Sequence, residues 1–206
     1  MKTFLKTKFV QFAVGFFSGR INRRLQDWAR NTETETTCAK GDCLMENAPH
    51  KQIEVVSTAG KNTAIRFSEA LMRFFTIPEL SRSQRAIDDG LDNTPNAEQR
   101  KALVCLTVNL LDPLRAKWGR PLTVVSGFRN QKVNSLVGGS RTSDHMTGRA
   151  VDITAGSPEL NRLLFAMAQK HFCFDQMYGI TGRSGPFSSV HVSFRATGNS
   201  NQIIRL

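Results

Sequence analysis

The sequence lacks any hydrophobic run long enough to cross a membrane as a helix, and it contains no internal repeat. A membrane-spanning helix needs about 20 mostly apolar residues, and a repeat architecture needs a fixed period in the sequence. The 206 residues, 40% of them hydrophobic, can form one substantial core. These absences exclude a helical membrane span and a solenoid, and they favour one globular domain with extensions.

Cysteine is scarce, with four residues in the chain. Cys38 and Cys43 are close enough to form a small disulfide loop in an oxidising compartment or half of a metal site in a reducing one. No second pair lies nearby, so a structural zinc is not expected there. Cys105 and Cys173 are expected in the core. The cysteines therefore leave the cellular compartment open, including membrane association and export.

Acidic residues are outnumbered, since 17 Asp and Glu against 28 Lys and Arg give a net charge of +11. Such a charge suits an anionic partner, which could be a wall polymer, a lipid headgroup or nucleic acid. More than half of the excess lies in residues 1–30, where seven basic residues accompany a single acid, Asp27, around a Phe-rich stretch. The charge alone does not choose among these partners.

The composition predicts three parts along the chain. Residues 1–30 form a basic, Phe-rich amphipathic segment, residues 31–64 form a polar linker, and residues 65–206 form the folded domain. Three interpretations of residues 1–30 remain open: a secretory signal, a helix lying on an anionic membrane surface, or a helix docked on its own domain.

The periodicity within the domain predicts helices alternating with short strands. We expect a helix from Pro95 to about Trp118 with a kink at Pro113, and another helix capped by Ser157. His171, near the end of that second helix, is expected at the surface or as a cap. The other predicted elements are a helix over residues 130–137 and strands over residues 122–125, 150–154, 174–178 and 190–195. This pattern indicates an α+β fold, with a small antiparallel sheet and helices packed on one side.

Three residues in this pattern are candidate ligands of a zinc ion: His145, Asp152 and His191. Catalytic zinc uses imidazole and carboxylate ligands from three residues and keeps one position for water. Strand alternation turns Asp152 away from its apolar neighbours and puts His191 and Ser193 on one face. By spacing alone, most such pairs are solvated loop residues or a simple hydrogen-bonded pair.

Several short motifs, in one order, resemble a known family between about Phe67 and Arg195. They are Asp92-Asn93-Thr94-Pro95, Leu111-Asp112-Pro113-Leu114-Arg115, Ser126-Gly127-Phe128-Arg129, Val137-Gly138-Gly139-Ser140, Thr142 to Ala150, Phe174-Asp175-Gln176 and His191-Val192-Ser193. On these motifs the chain is similar to the zinc D-Ala-D-Ala carboxypeptidases and related cell-wall peptidases, peptidase family M15, and to its phage-type branch.

The resemblance implies a D-Ala-D-Ala metallopeptidase (hedgehog-like) fold. It also implies zinc held by His145, Asp152 and His191, with Arg129 holding the substrate or polarising its carbonyl. The expected function is a monomeric zinc metallopeptidase of phage or prophage origin, a carboxypeptidase or an endolysin-like endopeptidase, that hydrolyses peptidoglycan stem peptides in bacterial cell wall degradation. Ser143, Asp144 and Ser193 are expected to shape the pocket.

The chain departs from this family at the general base. The family places a Glu or Asp three residues before the last His, or on the strand that begins Phe-Asp-Gln, and these positions hold Ser188 and Ile180 here. Asp144, beside the first ligand, is either a substitute base or a turn-capping residue. The missing carboxylate keeps an alternative open, a non-catalytic zinc-containing module that binds peptidoglycan. A nucleic-acid or membrane adaptor is disfavoured, because it leaves the three zinc candidates unexplained.

Overall fold

A computed structural model of the chain describes residues 69–182 and 185–204. The predicted segments 1–30 and 31–64, with Cys38 and Cys43, lie outside the described residues, and so does the start of the predicted domain. The helices are α1 (Ile77–Ser81), α2 (Gln84–Asp88), α3 (Ala97–Leu106), α4 (Asp112–Trp118), α5 (Gln131–Leu136) and α6 (Pro158–His171). The strands are β1 (Thr123–Ser126), β2 (Ala150–Thr154), β3 (Gln176–Gly182), β4 (Gly185–Ser193) and β5 (Gln202–Ile203).

The five strands form one sheet in the order β1-β2-β4-β3-β5. All pairs are antiparallel except β3 and β5, which run parallel. The central strand β4 is buried on both faces from Val190 to Ser193. Helices with a mostly antiparallel sheet confirm the predicted α+β class.

A nearly continuous helical segment, α3 followed by α4, supplies much of the core. It begins at the N-cap Asn96, whose side chain forms a reciprocal capping box with Gln99. A π-helical turn, Thr107–Leu111, separates the two helices. Pro113 follows this turn, and its missing N–H explains why the regular α-helical ladder is interrupted there. The α-helix is therefore interrupted just before Pro113, where the kink is predicted, and Pro95 precedes the N-cap rather than occupying the first turn.

Helix α6 begins as predicted, with Ser157 as the N-cap and Pro158 in the first turn. It packs on β3 and β4. Its buried Asn161 donates hydrogen bonds to the carbonyl oxygens of Phe187 (2.8 Å) and Ser188 (2.9 Å), which ties the helix to β4. His171 lies in the last turn of α6, as predicted, but its side chain is buried and not at the surface. Cys105 and Cys173 are buried as expected.

Among the described residues, no helix has both the length and the apolar character needed to span a membrane.

Candidate metal centre

Four residues form a row across the sheet, one on each of four neighbouring strands. Asp152 on β2 is paired with Ser126 on β1 and with His191 on β4, and His191 is paired with Tyr178 on β3. Residues directly opposite one another in antiparallel strands project from the same face. The row therefore places two of the three candidate ligands, Asp152 and His191, side by side.

The third candidate, His145, comes from a short 3-10 turn, Asp144–Thr147, that precedes β2. The backbone N–H of Arg129 donates to the His145 carbonyl (3.2 Å), and the Gln99 side chain donates to the Met146 carbonyl (3.0 Å). The turn ends at Gly148, whose φ of +72° and close approach to the Gln99 carbonyl suit glycine. The turn is thus fixed to β1 and α3 at the point where His145 faces the row.

The ligand atoms of the three residues lie within 4.8 Å of one another. The carboxylate oxygen Oδ1 of Asp152 is 2.8 Å from Nδ1 of His191 and 3.3 Å from Nε2 of His145. These two nitrogens are 3.3 Å apart. All three residues are buried, with exposed fractions of 2% for His145, 8% for Asp152 and 4% for His191.

The donor chemistry of this trio fits a divalent metal. Nδ1 of His145 lies 2.7 Å from the Gly127 carbonyl oxygen, which can only accept a hydrogen bond. This contact assigns the proton to Nδ1 and leaves a lone pair on Nε2, facing Asp152 and His191. Once His191 also presents a lone pair on Nδ1, three acceptor atoms converge on one buried point, as a metal requires. Two imidazoles and a carboxylate are ligands that zinc uses.

The Asp152 carboxylate is ionised in this surrounding. Burial alone would raise its pKa, but the two adjacent imidazoles, His145 and His191, outweigh burial and hold the pKa well below its usual range. A carboxylate must be deprotonated to ligate a metal. Asp152 meets this condition at neutral pH.

Arg129 lies just beyond the end of β1, near the trio. Its Nε is buried and has no hydrogen-bond partner within the described part of the chain. Burial lowers the pKa of its guanidinium, and the nearby Asp152 carboxylate partly offsets that change. An arginine remains charged in such a site. Arg129 thus offers an unsatisfied cationic donor beside the candidate metal ligands.

Asp144 and Ser143 begin the turn that carries His145. The backbone carbonyl of Asp144 accepts hydrogen bonds from Thr147 Oγ1 (3.0 Å) and the Arg149 N–H (3.0 Å). The Asp144 carboxylate instead lies 3.5 Å from Nη2 of Arg195, and its side chain is 16% exposed. Within the described residues this carboxylate caps no backbone N–H, so its observed contact differs from the turn-capping interpretation. Ser143, half-buried, occupies the N-cap position without a side-chain cap bond.

Ser193 lies on the predicted face of β4 but is fully buried. Its hydroxyl accepts a hydrogen bond from the Gln176 backbone N–H (2.9 Å). This contact joins β4 to the start of β3 and explains the buried hydroxyl without a substrate. The structure therefore gives Ser193 a sheet contact rather than a position open to the pocket.

The two positions where the family would place a base contact each other. Ser188 Oγ donates to the carbonyl oxygen of Ile180 (3.0 Å) across the β3-β4 hairpin. The carboxylate of Asp175, just before β3, accepts hydrogen bonds from Arg195 and Ser200. Neither Ser188 nor Ile180 can accept a proton at neutral pH, so the base expected from the family pattern is absent at both positions.

Tyr178 is a site residue that the sequence analysis missed. Its ring stacks on the His191 ring, with centroids 4.3 Å apart and planes inclined by 13°. The sequence pattern predicts only a strand at this position. The signal that could have revealed it is register, because pairing the strand after Phe-Asp-Gln with the His191 strand brings Tyr178 opposite a ligand.

Comparison with known proteins identifies the class of this fold and site. The family model for peptidase M15 matches residues 73–193, and the chain belongs to this family. The predicted family is therefore confirmed, whereas its phage-type branch stays a prediction.

One relative is the zinc D-Ala-D-Ala carboxypeptidase of Streptomyces albus G, which is 34% identical over 120 residues. The matched region covers 58% of this chain and 45% of that protein, so the chain spans about half of the length of the relative. All three candidate ligands lie within residues 73–193, the region that the family model matches.

Proposed function

We propose that the chain is a zinc metallopeptidase that hydrolyses an amide bond in peptidoglycan stem peptides. The observation that carries this proposal is the buried trio of His145, Asp152 and His191, whose ligand atoms converge within 4.8 Å in a member of the peptidase M15 family. The Streptomyces relative, by its name, is a zinc enzyme acting on D-Ala-D-Ala. That name supports both the metal and the substrate class for this chain.

His145, Asp152 and His191 would hold the zinc. When bound, zinc polarises a scissile carbonyl and lowers the pKa of a bound water toward about 7. Two contacts described above prepare the ligands: the Gly127 carbonyl fixes the His145 tautomer, and the stacked Tyr178 ring restricts the orientation of His191.

Arg129 would bind an oxygen of the substrate. Its buried Nε has no partner in the described residues, and leaving a charged donor unsatisfied is costly. A terminal carboxylate or a peptide carbonyl oxygen would satisfy it, and the forked guanidinium can bind a carboxylate through two hydrogen bonds. Ser143, half-buried at the start of the His145 turn, is a second proposed substrate contact.

We assign the general base to Asp144 within this proposal. It is adjacent in sequence to His145, and its carboxylate is partly exposed. Arg195 contacts two carboxylates at different distances: its Nε is 2.5 Å from Asp175, and its Nη2 is 3.5 Å from Asp144. The shorter contact of Arg195 is the one with Asp175, and in this proposal the more weakly held Asp144 carboxylate accepts a proton from the attacking water.

A second candidate function is a non-catalytic module that binds stem peptides through zinc. The observation that favours it is the hydrogen bond between Ser188 and Ile180, because the two positions expected to carry the base hold no carboxylate and contact each other. A protein of this kind would keep the metal and Arg129 but release no product.

The finer assignments are also proposals. They comprise a monomer, a phage or prophage origin, an endolysin-like role in cell wall degradation, and either exopeptidase or endopeptidase specificity. Binding of residues 1–30 to an anionic membrane is a separate prediction, since that segment lies outside the described residues.

The experiment that tests the proposal uses the zinc-loaded full chain and purified peptidoglycan. Mass spectrometry of soluble products should detect released D-alanine or cleaved stem peptides, and Asp152→Asn should abolish this release together with zinc binding. Zinc-dependent sedimentation with peptidoglycan but no released product would select the binding module. Absence of both zinc binding and product would refute both functions.

A further inference from the structure

We propose that Tyr178 is a further catalytic residue, whose phenol O–H donates a hydrogen bond to the scissile carbonyl oxygen of the bound peptide, beside Arg129. This inference rests on the proposed function and extends it to a residue outside the metal ligands.

The position of Tyr178 follows from the sheet. It lies directly opposite His191 in the β3-β4 pair, as Asp152 does in the β2-β4 pair. Tyr178 is therefore the next member of the row that carries two of the ligands. Stacking on His191, at 4.3 Å between centroids, fixes the direction of its ring.

The length of the Tyr178 side chain supports a position of its hydroxyl beyond the His191 imidazole. Tyr178 and His191 start from neighbouring strands and their rings are nearly parallel. A phenol is longer than an imidazole, so the Tyr178 hydroxyl reaches farther from its own backbone than either ring nitrogen of His191 does from its backbone. Asp152, Arg129 and Asp144 all act electrostatically on this hydroxyl, which places it among the charged groups of the site.

The Tyr178 hydroxyl is also available to bind a ligand. Tyr178 is half-buried, and its hydroxyl makes no hydrogen bond to any other part of the described chain. A hydroxyl in this half-buried position can be satisfied by water in the free protein, and a ligand oxygen would replace that water in the complex.

The chemistry assigned to Tyr178 is hydrogen bonding without proton transfer. As the water oxygen bonds to the carbonyl carbon, the π electron pair of the carbonyl moves onto its oxygen, where negative charge develops. Tyr178 keeps its proton and stabilises this charge from one side, while Arg129 does so as a cation. Removing one such donor in other enzymes lowers kcat by about 10²- to 10³-fold.

The test measures two affinities of the full chain by isothermal titration: that for zinc, and that of the zinc-loaded protein for a phosphinate analogue of D-alanyl-D-alanine. The phosphinate oxygens reproduce the charge that develops on the carbonyl. Tyr178→Phe keeps the stacked ring, so zinc affinity should stay within about 2-fold while phosphinate affinity falls by about 10- to 100-fold. Ser188→Ala, which removes a hydroxyl bonded to Ile180, is the matched control and should leave phosphinate affinity unchanged.

Tyr178 is the only tyrosine in the chain, so incorporated 3-fluorotyrosine gives a single ¹⁹F resonance. This resonance should shift when the phosphinate binds to the zinc-loaded protein. Unchanged phosphinate affinity in Tyr178→Phe would overturn the inference, and a large loss of zinc affinity in that variant would make Tyr178 a ligand or a positioning residue instead. If the zinc-loaded wild type fails to bind the phosphinate, D-Ala-D-Ala as the substrate class of the proposed function falls, and the role of Tyr178 at that carbonyl falls with it.

Discussion

Replacing Gly127 with alanine should weaken zinc binding without altering any ligand. An ideal Cβ at this position would lie 1.9 Å from the Leu80 carbonyl oxygen and 2.7 Å from its carbon. To relieve this overlap, the backbones of Gly127 and Leu80 must move apart by about 1.5 Å, given ordinary contact distances. The same peptide segment carries the Gly127 carbonyl that holds Nδ1 of His145 and the Phe128 N–H that donates to Leu80.

The size of the effect follows from the lost hydrogen bond to His145. Loss of such an outer-shell partner typically lowers metal affinity by 10- to 100-fold, which corresponds to about 1.4–2.8 kcal/mol. The crowding at Leu80 should also lower the free energy of unfolding by about 1–3 kcal/mol. Competition with a chromophoric chelator gives the zinc Kd, and urea unfolding of the metal-free protein gives the stability.

Gly138→Ala is the matched control for Gly127→Ala. Gly138 has φ of +71°, and a Cβ added there would meet no atom within 4 Å, so its substitution strains the backbone by about 1–2 kcal/mol without touching the site. Both variants should lose stability, but only Gly127→Ala should lose zinc affinity. A folded Gly127→Ala protein with wild-type zinc Kd would refute the argument that this carbonyl prepares His145.

Other outcomes can be tested by elemental analysis, turnover and unfolding. His191→Ala should lose stoichiometric zinc, because two remaining ligands cannot hold it tightly. Arg129→Ala should retain zinc but lose most turnover of stem peptides, with only partial recovery in Arg129→Lys; normal turnover would make Arg129 structural. Asp144→Asn should lower turnover by about 10²-fold or more with zinc retained, and an unchanged rate would remove Asp144 as the base. Asp175→Asn should lower the free energy of unfolding by about 1–3 kcal/mol at pH 7. Burial raises the pKa of the Asp175 carboxyl, but its hydrogen-bonded partners lower the pKa by more, so the net pKa lies below the ordinary value. The higher stability of the wild type should therefore be present above about pH 4 and shrink as the pH falls below that value. A pH-independent difference between the two proteins would contradict this ionisation argument.

Local patterns predicted the elements that carry the ligands. Alternation placed Asp152 and His191 on the site face of their strands, and Ser157 with Pro158 marked the start of α6. Strand β5, only two residues long, has too little sequence for any period to appear. The contact of Asp144 with Arg195, 51 residues away, also lay beyond local patterns, because tertiary packing creates it. Ser193 shows the limit of alternation, which predicts the face of a residue but not whether a neighbouring backbone already binds its hydroxyl.

The row across the sheet makes the metal centre dependent on strand register. Because side chains alternate along a strand, a slip of one residue in β4 would turn His191 to the opposite face and bring a valine, Val190 or Val192, to the ligand position. A misregistered sheet could thus keep nearly all of its backbone hydrogen bonds and still be unable to chelate. Zinc uptake during refolding would then count only correctly aligned molecules, whereas circular dichroism would count both kinds.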